Sequence, residues 1–577
     1  MRLAIVEKKR CNPEKCNWLC VKLCPLNRSG AECIKKGLDK ASKVGIAEAL
    51  CNGCGICQAR CPFSAIRIIN LPERLKDEAI HRYGENAFEL FGLPIAKENT
   101  VVGILGKNGI GKSTALDILS GNTIPNLGSK ATKEEVIKKY AHVSLGKYFE
   151  RLFSEQIKIS YKPQRIELLG ELYKEHKVLG LLEKLEIKND ITNSLKMLEL
   201  DNLADKKIGE LSGGELQRLA ILATALKEAD IYFFDEPMSF LDISMRIKVA
   251  NFIRELAKNA SVMVVEHDLA SLDFISDEIQ IFYGQQGCYG IVSKSKAVNR
   301  GINEYLSGFL TDDNVRFRDY EINFNMGVDE GFSKEIVFSF PEVEKSFPGF
   351  KLKTTAGELH KCETLCIMGA NGLGKTTFLK LLVGLDEPDS GKIERVRIAY
   401  KPQYLVGLKG KVKDIIKIDS GWFKTILEKL ELTRLLDRDV ESLSGGELQK
   451  VYIAFVLSQD TDIYALDEPS AFIDVEDRLK VAEIIRDVVQ KQERSAIIVD
   501  HDIQFIDYLA DSMLVFIGTP GKTGLMSKYS KKDGMNAVLR MLNVTYRRDK
   551  ETGRAKINKP DSLLDREQRA KGEYYQN

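Results

Sequence analysis

Several short, mostly apolar runs in this chain end on residues with chemistry to offer. Thr100 to Leu105 runs into a glycine-rich loop, Ile231 to Phe234 ends at Asp235, Ser261 to Val265 ends at Glu266 and His267, and Ile463 to Leu466 ends at Asp467. Apolar runs of this length bounded by polar punctuation read as buried strands. A helical pattern follows the first of them, in TALDILSG after Ser113. Two further helical patterns, near Lys133 to Tyr140 and Leu145 to Ile157, flank the short polar turn His142-Val-Ser144. Near the C-terminus Val538, Leu539, Leu542 and Val544 recur at helical spacing, so that segment is expected to pack down.

The pattern repeats. LSGGELQ occurs at Leu211 to Gln217 and again at Leu443 to Gln449, and in each copy an Asp-Glu-Pro follows 23 residues after the serine, at Asp235 and Asp467. A repeat at fixed internal spacing marks a duplicated structural unit. Each copy is preceded by a P-loop. The first reads Gly106-Lys-Asn108-Gly109-Ile-Gly111-Lys112-Ser113-Thr114 and the second Gly369-Ala-Asn371-Gly372-Leu-Gly374-Lys375-Thr376-Thr377. In such a loop backbone N–H groups wrap phosphates, the lysine neutralises β and γ oxygens, and the Ser or Thr hydroxyl holds Mg²⁺. The spacing from P-loop lysine to the glutamine of Tyr-Lys-Pro-Gln differs. It is 52 residues from Lys112 to Gln164 and 28 from Lys375 to Gln403, so the first copy carries an insertion, the helix-loop-helix pattern at 132–158. Its lysines and aromatics are expected to be exposed and to form a docking surface, because only one copy bears it.

With 577 residues the chain exceeds a single core. Hydrophobic residues at 44%, charged residues at 29% and a net charge of +2 are those of an ordinary globular protein, without a global pull toward nucleic acid or membrane. The N-terminal MRLAIVEKKRC lacks a secretory pattern and no run approaches the ~20 apolar residues of a membrane span, so a cytoplasmic protein is expected.

Nine of the 12 cysteines lie in the first 61 residues. They form two runs, Cys11-x4-Cys16-x3-Cys20-x3-Cys24-Pro25 and Cys51-x2-Cys54-x2-Cys57-x3-Cys61-Pro62, with Cys33 left over as a structural residue. The second run matches the bacterial ferredoxin pattern. In two-cluster ferredoxins the fourth cysteine of each run ligates the other cluster, so Cys24 joins Cys51, Cys54 and Cys57, while Cys61 joins Cys11, Cys16 and Cys20. Two [4Fe–4S] clusters are expected. Zinc, the main alternative, prefers paired knuckles of four ligands.

The order of P-loop, Gln164, LSGGE, Asp235-Glu236, Asp242 and His267 resembles the ATP-binding cassette nucleotide-binding domain. The second copy repeats it with Gln403, Asp467-Glu468, Asp474 and His501. The resemblance implies ATP/ADP and Mg²⁺ as ligands. Gln164 and Gln403 would sense the metal and γ-phosphate, Asp235 and Asp467 would order the metal's water shell, Glu236 and Glu468 would polarise the attacking water, and His267 and His501 would contact the γ-phosphate. It also implies that each signature, Ser212-Gly213-Gly214-Glu215 or Ser444-Gly445-Gly446-Glu447, completes the opposite half's pocket, giving a monomer with an intramolecular pseudo-dimer of ATPase domains. Tyr83, and Phe340 in the second half, would stack on adenine.

Over the full length, the cysteine module, INLP at 69–72, the first-copy insertion, Asn314-Val-Arg-Phe-Arg318, NVTYRRD at 543–549 and INK-x-DS at 557–562 resemble the ribosome recycling factors of ABC subfamily E, the RNase L inhibitor family. The expected fold is α/β, two tandem ABC-type P-loop ATPase domains preceded by a small ferredoxin-like α+β iron–sulfur domain. The expected divisions are 1–72 for the iron–sulfur domain, 73–293 and 331–530 for the ATPase domains, 294–330 for a polar hinge and 531–577 for a tail whose basic remainder touches phosphate backbones. The implied function is ATP-driven splitting of ribosomes after termination. Implied partners are the ribosome, especially its small subunit and ribosomal RNA, a release-type factor and initiation factors, and not a membrane. Two other functions fit less of the chain. A transporter ATPase would need a separate membrane subunit, and an ATP-gated electron carrier would need a redox partner, for which no flavin, haem or nicotinamide motif is present.

Overall fold

The computed structural model describes residues 2–37, 43–70, 79–185, 191–324, 331–403, 405, 408–416 and 421–576. Two central sheets share one strand order. In the first, Ile159–Lys162, Ile231–Asp235, Ser261–Val265, Val101–Leu105 and Glu278–Gln285 lie side by side and parallel. In the second, Ile398–Lys401, Ile463–Asp467, Ser495–Val499, Thr364–Met368 and Ser512–Thr519 repeat that order. The central strands are buried on every residue, which is why they read as unbroken apolar runs instead of alternating ones. Because they are parallel, their polar C-terminal residues collect at one sheet edge, the usual ligand side of such a sheet.

The N-terminal module is a pair of antiparallel strands, Arg2–Val6 and Ile66–Asn70, around short helices that carry the cysteines. It is fastened to the first ATPase half. Leu3, Ile5 and Ile69 share an apolar cluster with Phe91 and Cys288, and Arg67 donates to the Gln286 carbonyl at 2.8 Å while pairing with Glu7 at 2.7 Å.

Three expectations need correction. The segment 294–324 is not a bare hinge. Lys296–Ala297 pairs with the strand Glu278–Gln285, the helix Val298–Ser307 buries Ile302, Tyr305 and Leu306, and Ile322 and Phe324 lie in one apolar cluster with Val475 and Leu479 of the second half. Its polar residues made it look like a linker, but Lys296 spends its charge on Glu304 and Asp312. The divisions at 72/73 and 330/331 fall outside the described residues. The insertion forms the helices Lys133–Tyr140 and Ser144–Phe153, four residues shorter at its end than expected. Its lysines 138 and 147 are exposed, but Phe149 is fully buried and Tyr148 donates to the Leu119 carbonyl at 2.6 Å, so the aromatics form its root and not its surface. Part of the tail's basic set is likewise turned inward, while Lys559 stays exposed. Arg554 is 0% exposed against Asp273 at 3.0 Å, and Arg548 pairs with Asp507 at 2.8 Å. Charges spent in buried pairs do not reach a phosphate backbone. Val538, Leu539 and Val544 do pack down as their spacing indicates, and Leu542 is partly buried beside them.

Candidate functional site: two composite nucleotide pockets and a cysteine module

Each P-loop joins a buried strand to a helix, Lys112–Leu119 or Lys375–Leu382, through a glycine at positive φ, 94° at Gly111 and 92° at Gly374. A Cβ on Gly111 would lie 2.7 Å from the Phe88 ring, so both backbone angle and space demand glycine there. The lysines lie back against the loop's own carbonyls. Lys112 donates to the carbonyls of Gly106 and Lys107 at 2.7 Å each, and Lys375 to those of Gly369 and Ala370 at 2.9 and 2.7 Å. Burial pushes both ammonium groups down to about 8, against the pull of Glu236 on the first and Glu468 on the second. A buried cation facing a row of N–H donors is an anion receptor.

The catalytic candidates converge in both halves. Gln164 donates to Glu236 at 2.6 Å and His267 Nε2 lies 3.6 Å from it; Gln403 donates to Glu468 at 2.8 Å and His501 Nε2 lies 3.7 Å from it. Both histidines are driven well below the ordinary imidazole range by burial, so they are neutral. Glu236 and Glu468 both sit at φ 49°, a left-handed conformation that costs a side-chain-bearing residue free energy and marks sites that need a fixed carboxylate direction. Burial raises Glu468 to about 7. Burial also raises Asp235, to about 6, and Asp467.

The metal candidates are arranged alike in the two halves. Ser113 donates to Asp235 at 2.8 Å, and the Thr376 hydroxyl faces the buried Asp467, whose carboxyl it favours in the charged form against the rise that burial causes. A hydroxyl beside a buried carboxylate, with a glutamine nearby, is an all-oxygen donor set that fits Mg²⁺, which takes a few protein oxygens and keeps its waters.

Ser212 and Ser444 cap the helices Gly213–Ala225 and Gly445–Leu457, each in a reciprocal box with Glu215 or Glu447. The two halves meet across their P-loops. Asp474 accepts from the Asn108 N–H at 3.4 Å and Asp242 from the Asn371 N–H at 2.8 Å, and Phe240 meets Phe472 edge-on with centroids 5.7 Å apart.

Some residues escaped the sequence reading. Lys162 Nζ bonds the carbonyl of Asp235 at 2.8 Å and Lys401 that of Asp467 at 2.7 Å, while Gln217 and Gln449 hold the carbonyls of Glu236 and Glu468 at 2.7 and 2.8 Å. All four lie inside motifs present in both copies, a repetition that could have singled them out. Tyr83 is 58% exposed, with its hydroxyl 3.1 Å from Thr114. Phe340 is 2% exposed beneath Gly357 and against Phe378, so it has no free ring face and is withdrawn as an adenine contact. Phe347, 41% exposed, is the positional equivalent of Tyr83: it lies opposite Phe350 as Tyr83 lies opposite Phe88, and Phe350 and Phe88 back the equivalent glycines Gly374 and Gly111.

In the cysteine module the charges sort the thiols into two groups. Cys11 and Cys20 feel Cys16 and Cys61, while Cys57 feels Cys51, Cys54 and Cys24. These sets, each drawing its fourth member from the other run, fit two polynuclear centres. Burial pushes Cys20 to about 12 and Cys57 to about 11, so loading must expel protons. Cys33 is buried against Cys24 and Cys51, beside the second set.

Comparison with known proteins agrees with this architecture. The family model for ABC transporters matches residues 95–239 and 352–471, and that for a possible Fer4-like domain in RNase L inhibitor matches 1–32. An uncharacterised ABC transporter ATP-binding protein of Methanocaldococcus jannaschii is 47% identical over 100% of this chain and 97% of its own length. Translation initiation factor RLI1 of Saccharomyces cerevisiae is 40% identical over 100% of this chain and 98% of its own. A solved structure titled as a model of ribosome-bound archaeal Pelota and ABCE1 matches with a TM-score of 0.95 at 47% identity, covering 100% of this chain and 99% of that one. The chain therefore belongs to the ABC transporter E family, the ABCE1 and RLI1 group of RNase L inhibitor proteins.

Proposed function

We propose that this protein is a cytoplasmic, ATP-driven ribosome recycling factor that splits ribosomes into subunits after termination. The observation that carries the reading is the match of the whole chain, cysteine module included, to a ribosome-bound ABCE1. ATP is the substrate of both pockets. Tyr83 and Phe347 stack on adenine, Lys112 and Lys375 neutralise the β and γ phosphates, and Ser113, Gln164, Thr376 and Gln403 would hold Mg²⁺, with Asp235 and Asp467 placed to order its waters. Glu236 and Glu468 take up the proton of the attacking water, and neutral His267 and His501 donate to the γ-phosphate. Phosphoryl transfer needs little beyond such positioning and charge neutralisation. The helix N-termini at Ser212 and Ser444 meet the γ-phosphate of the opposite half, so ATP binds the halves together and hydrolysis releases them.

The cysteines fit two [4Fe–4S] clusters, whose iron–thiolate bonds would staple a module too small to fold on its apolar core alone. Arg67 links that module to Gln286. Gly287 of the same turn donates to the Gly109 carbonyl of the first P-loop at 2.8 Å, and Arg434 of the second half donates to Gln286 at 3.3 Å. Closure of the first pocket is thereby transmitted to the module. Partners are the ribosome, its small subunit and RNA above all through Lys138 and Lys147 of the insertion, and a release-type factor; ABCE1 is paired with Pelota in one solved structure and with a ribosomal stalk protein in another.

Among the described residues no helix is long and apolar enough to cross a membrane. The test is a density gradient of native lysate with a non-hydrolysable ATP analogue. Co-sedimentation with ribosomal subunits is expected, and sedimentation with membrane proteins alone would overturn the reading.

A further inference from the structure

The two nucleotide pockets are matched in their catalytic residues but not in what crosses the interface beside the P-loop. In the first pocket, Lys107 forms an ion pair with Glu476 of the second half at 2.7 Å. Aligned on Gly106 and Gly369, and on Asp242 and Asp474, the corresponding residues of the second pocket are Ala370 and Ser244, which carry no charge. Glu476 is also a meeting point. Its side chain is 3% exposed, Lys480 pairs with it at 2.9 Å, the Tyr320 hydroxyl donates to it, and Arg318 lies 3.5 Å away. Tyr320 and Arg318 belong to the segment that joins the halves. Arg318 is held there by the carbonyls of Tyr305 and Leu306 at 2.7 and 2.6 Å and by the rings of Tyr305, Phe317 and Tyr320. Burial alone would raise the Glu476 carboxyl, yet Lys107 and Lys480 hold it down at about 2, so it is a carboxylate at any working pH.

We propose that Glu476 is a positioning residue that couples the first nucleotide pocket, and not the second, to the connecting segment, by gripping Lys107 of the first P-loop on one side and Arg318 and Tyr320 on the other. A buried carboxylate among three cations and a phenol is costly to leave half-paired. When the first pocket opens, Lys107 withdraws, and the remaining partners must move to compensate. The tail, which also bridges the halves, ties down at Asp273 and Asn299, neither of them in a P-loop. The connecting segment therefore reads one pocket. The inference rests on the two pockets being ATP sites.

The experiment uses the full chain, loaded with its clusters, in Glu236→Gln and Glu468→Gln backgrounds that trap ATP in the first and the second pocket respectively. Retention of radiolabelled ATP after rapid desalting and hydrogen exchange of residues 315–324 are read together. Lys107→Ala installs the residue the second P-loop already carries, so the loop tolerates it; Glu476→Gln removes the other partner. Either change is expected to speed ATP release from the first pocket about tenfold and to leave the second within about twofold, as loss of one directly contacting pair does. Lys107→Arg, which keeps the charge, is expected to restore retention. ATP in the first pocket should slow exchange in 315–324, and Lys107→Ala should abolish that protection. Equal acceleration at both pockets, no acceleration at the first, or protection that survives Lys107→Ala would each overturn the proposal. Failure of the unmodified chain to bind ATP would instead overturn the reading of the pockets.

Discussion

The carboxylate of Asp242, in the first ATPase half, accepts a hydrogen bond at 2.8 Å from the backbone N–H of Asn371 in the P-loop of the second. With its counterpart, donated by the Asn108 N–H to Asp474, this contact makes each P-loop dependent on the other half. Asp242 also caps its own helix through Met245 at 2.9 Å. The two jobs separate by substitution. Asp242→Ser keeps a capping oxygen and should hold thermal stability, while Asp242→Ala should lose about 1 kcal/mol. Both should slow hydrolysis in the second pocket, measured as single-turnover ATP cleavage in a Glu236→Gln background.

Glu236→Gln and Glu468→Gln remove the proton acceptor without changing shape. Each should lower hydrolysis in its own pocket by about 10²- to 10³-fold and leave ATP trapped with the halves closed. The two variants should differ in rate, because Lys107 and Glu476 brace one pocket while the aligned residues of the other, Ala370 and Ser244, carry no charge. Matching steady-state kinetics would remove that expectation.

The lysines give a pH signature. In the nucleotide-free protein burial leaves Lys112 and Lys375 at about 8, and triphosphate raises them again by supplying negative charge. ATP binding therefore takes up protons near and above pH 8, and affinity falls as pH rises through that region; at pH 6.5 both lysines are already charged and contribute no uptake. Titration calorimetry in two buffers of different ionisation enthalpy reads this directly.

The tail is held by a buried pair. Asp273→Asn strands Arg554, which is 0% exposed, and should cost about 3 kcal/mol, seen as earlier urea unfolding and faster proteolysis after residue 545. The double change Arg554→Met with Asp273→Leu should recover most of that loss.

The exposed lysines of the insertion test its docking role. Lys138→Glu with Lys147→Glu should weaken ribosome binding about tenfold and reduce its salt dependence, with ATP hydrolysis by the free protein unchanged.

Most of the chemistry was legible in the chain because it is local. The P-loops, Asp235-Glu236 and the cysteine runs are patterns over a few residues, and duplication let each copy check the other. What was hidden depends on distance in sequence. Lys107 and Glu476 meet across two folded halves, and nothing in either segment announces the other. Arg554 and Lys556 looked like a basic surface because composition does not reveal that Asp273 and Asn299 wait for them. Phe340 stands near the start of the second half, yet only the hairpin pairing of Phe347 with Phe350 shows which ring of that region faces outward. The polar segment 294–324 misled for the same reason: its charges are paired internally, and hydrophilicity alone does not separate a linker from a buried ion network.

If ATP drives this protein to split ribosomes through its cysteine module, the cluster ligands are needed for splitting and not for hydrolysis. The most direct measurement is light scattering of post-termination ribosomes mixed with the cluster-loaded protein and ATP, alongside the Cys24→Ser variant assayed for both splitting and ATP hydrolysis. An ATP-dependent fall in scattering is expected with the unmodified protein, and loss of that fall in Cys24→Ser while hydrolysis persists. Scattering that stays constant with the unmodified protein, or splitting by Cys24→Ser at the unmodified rate, would contradict it.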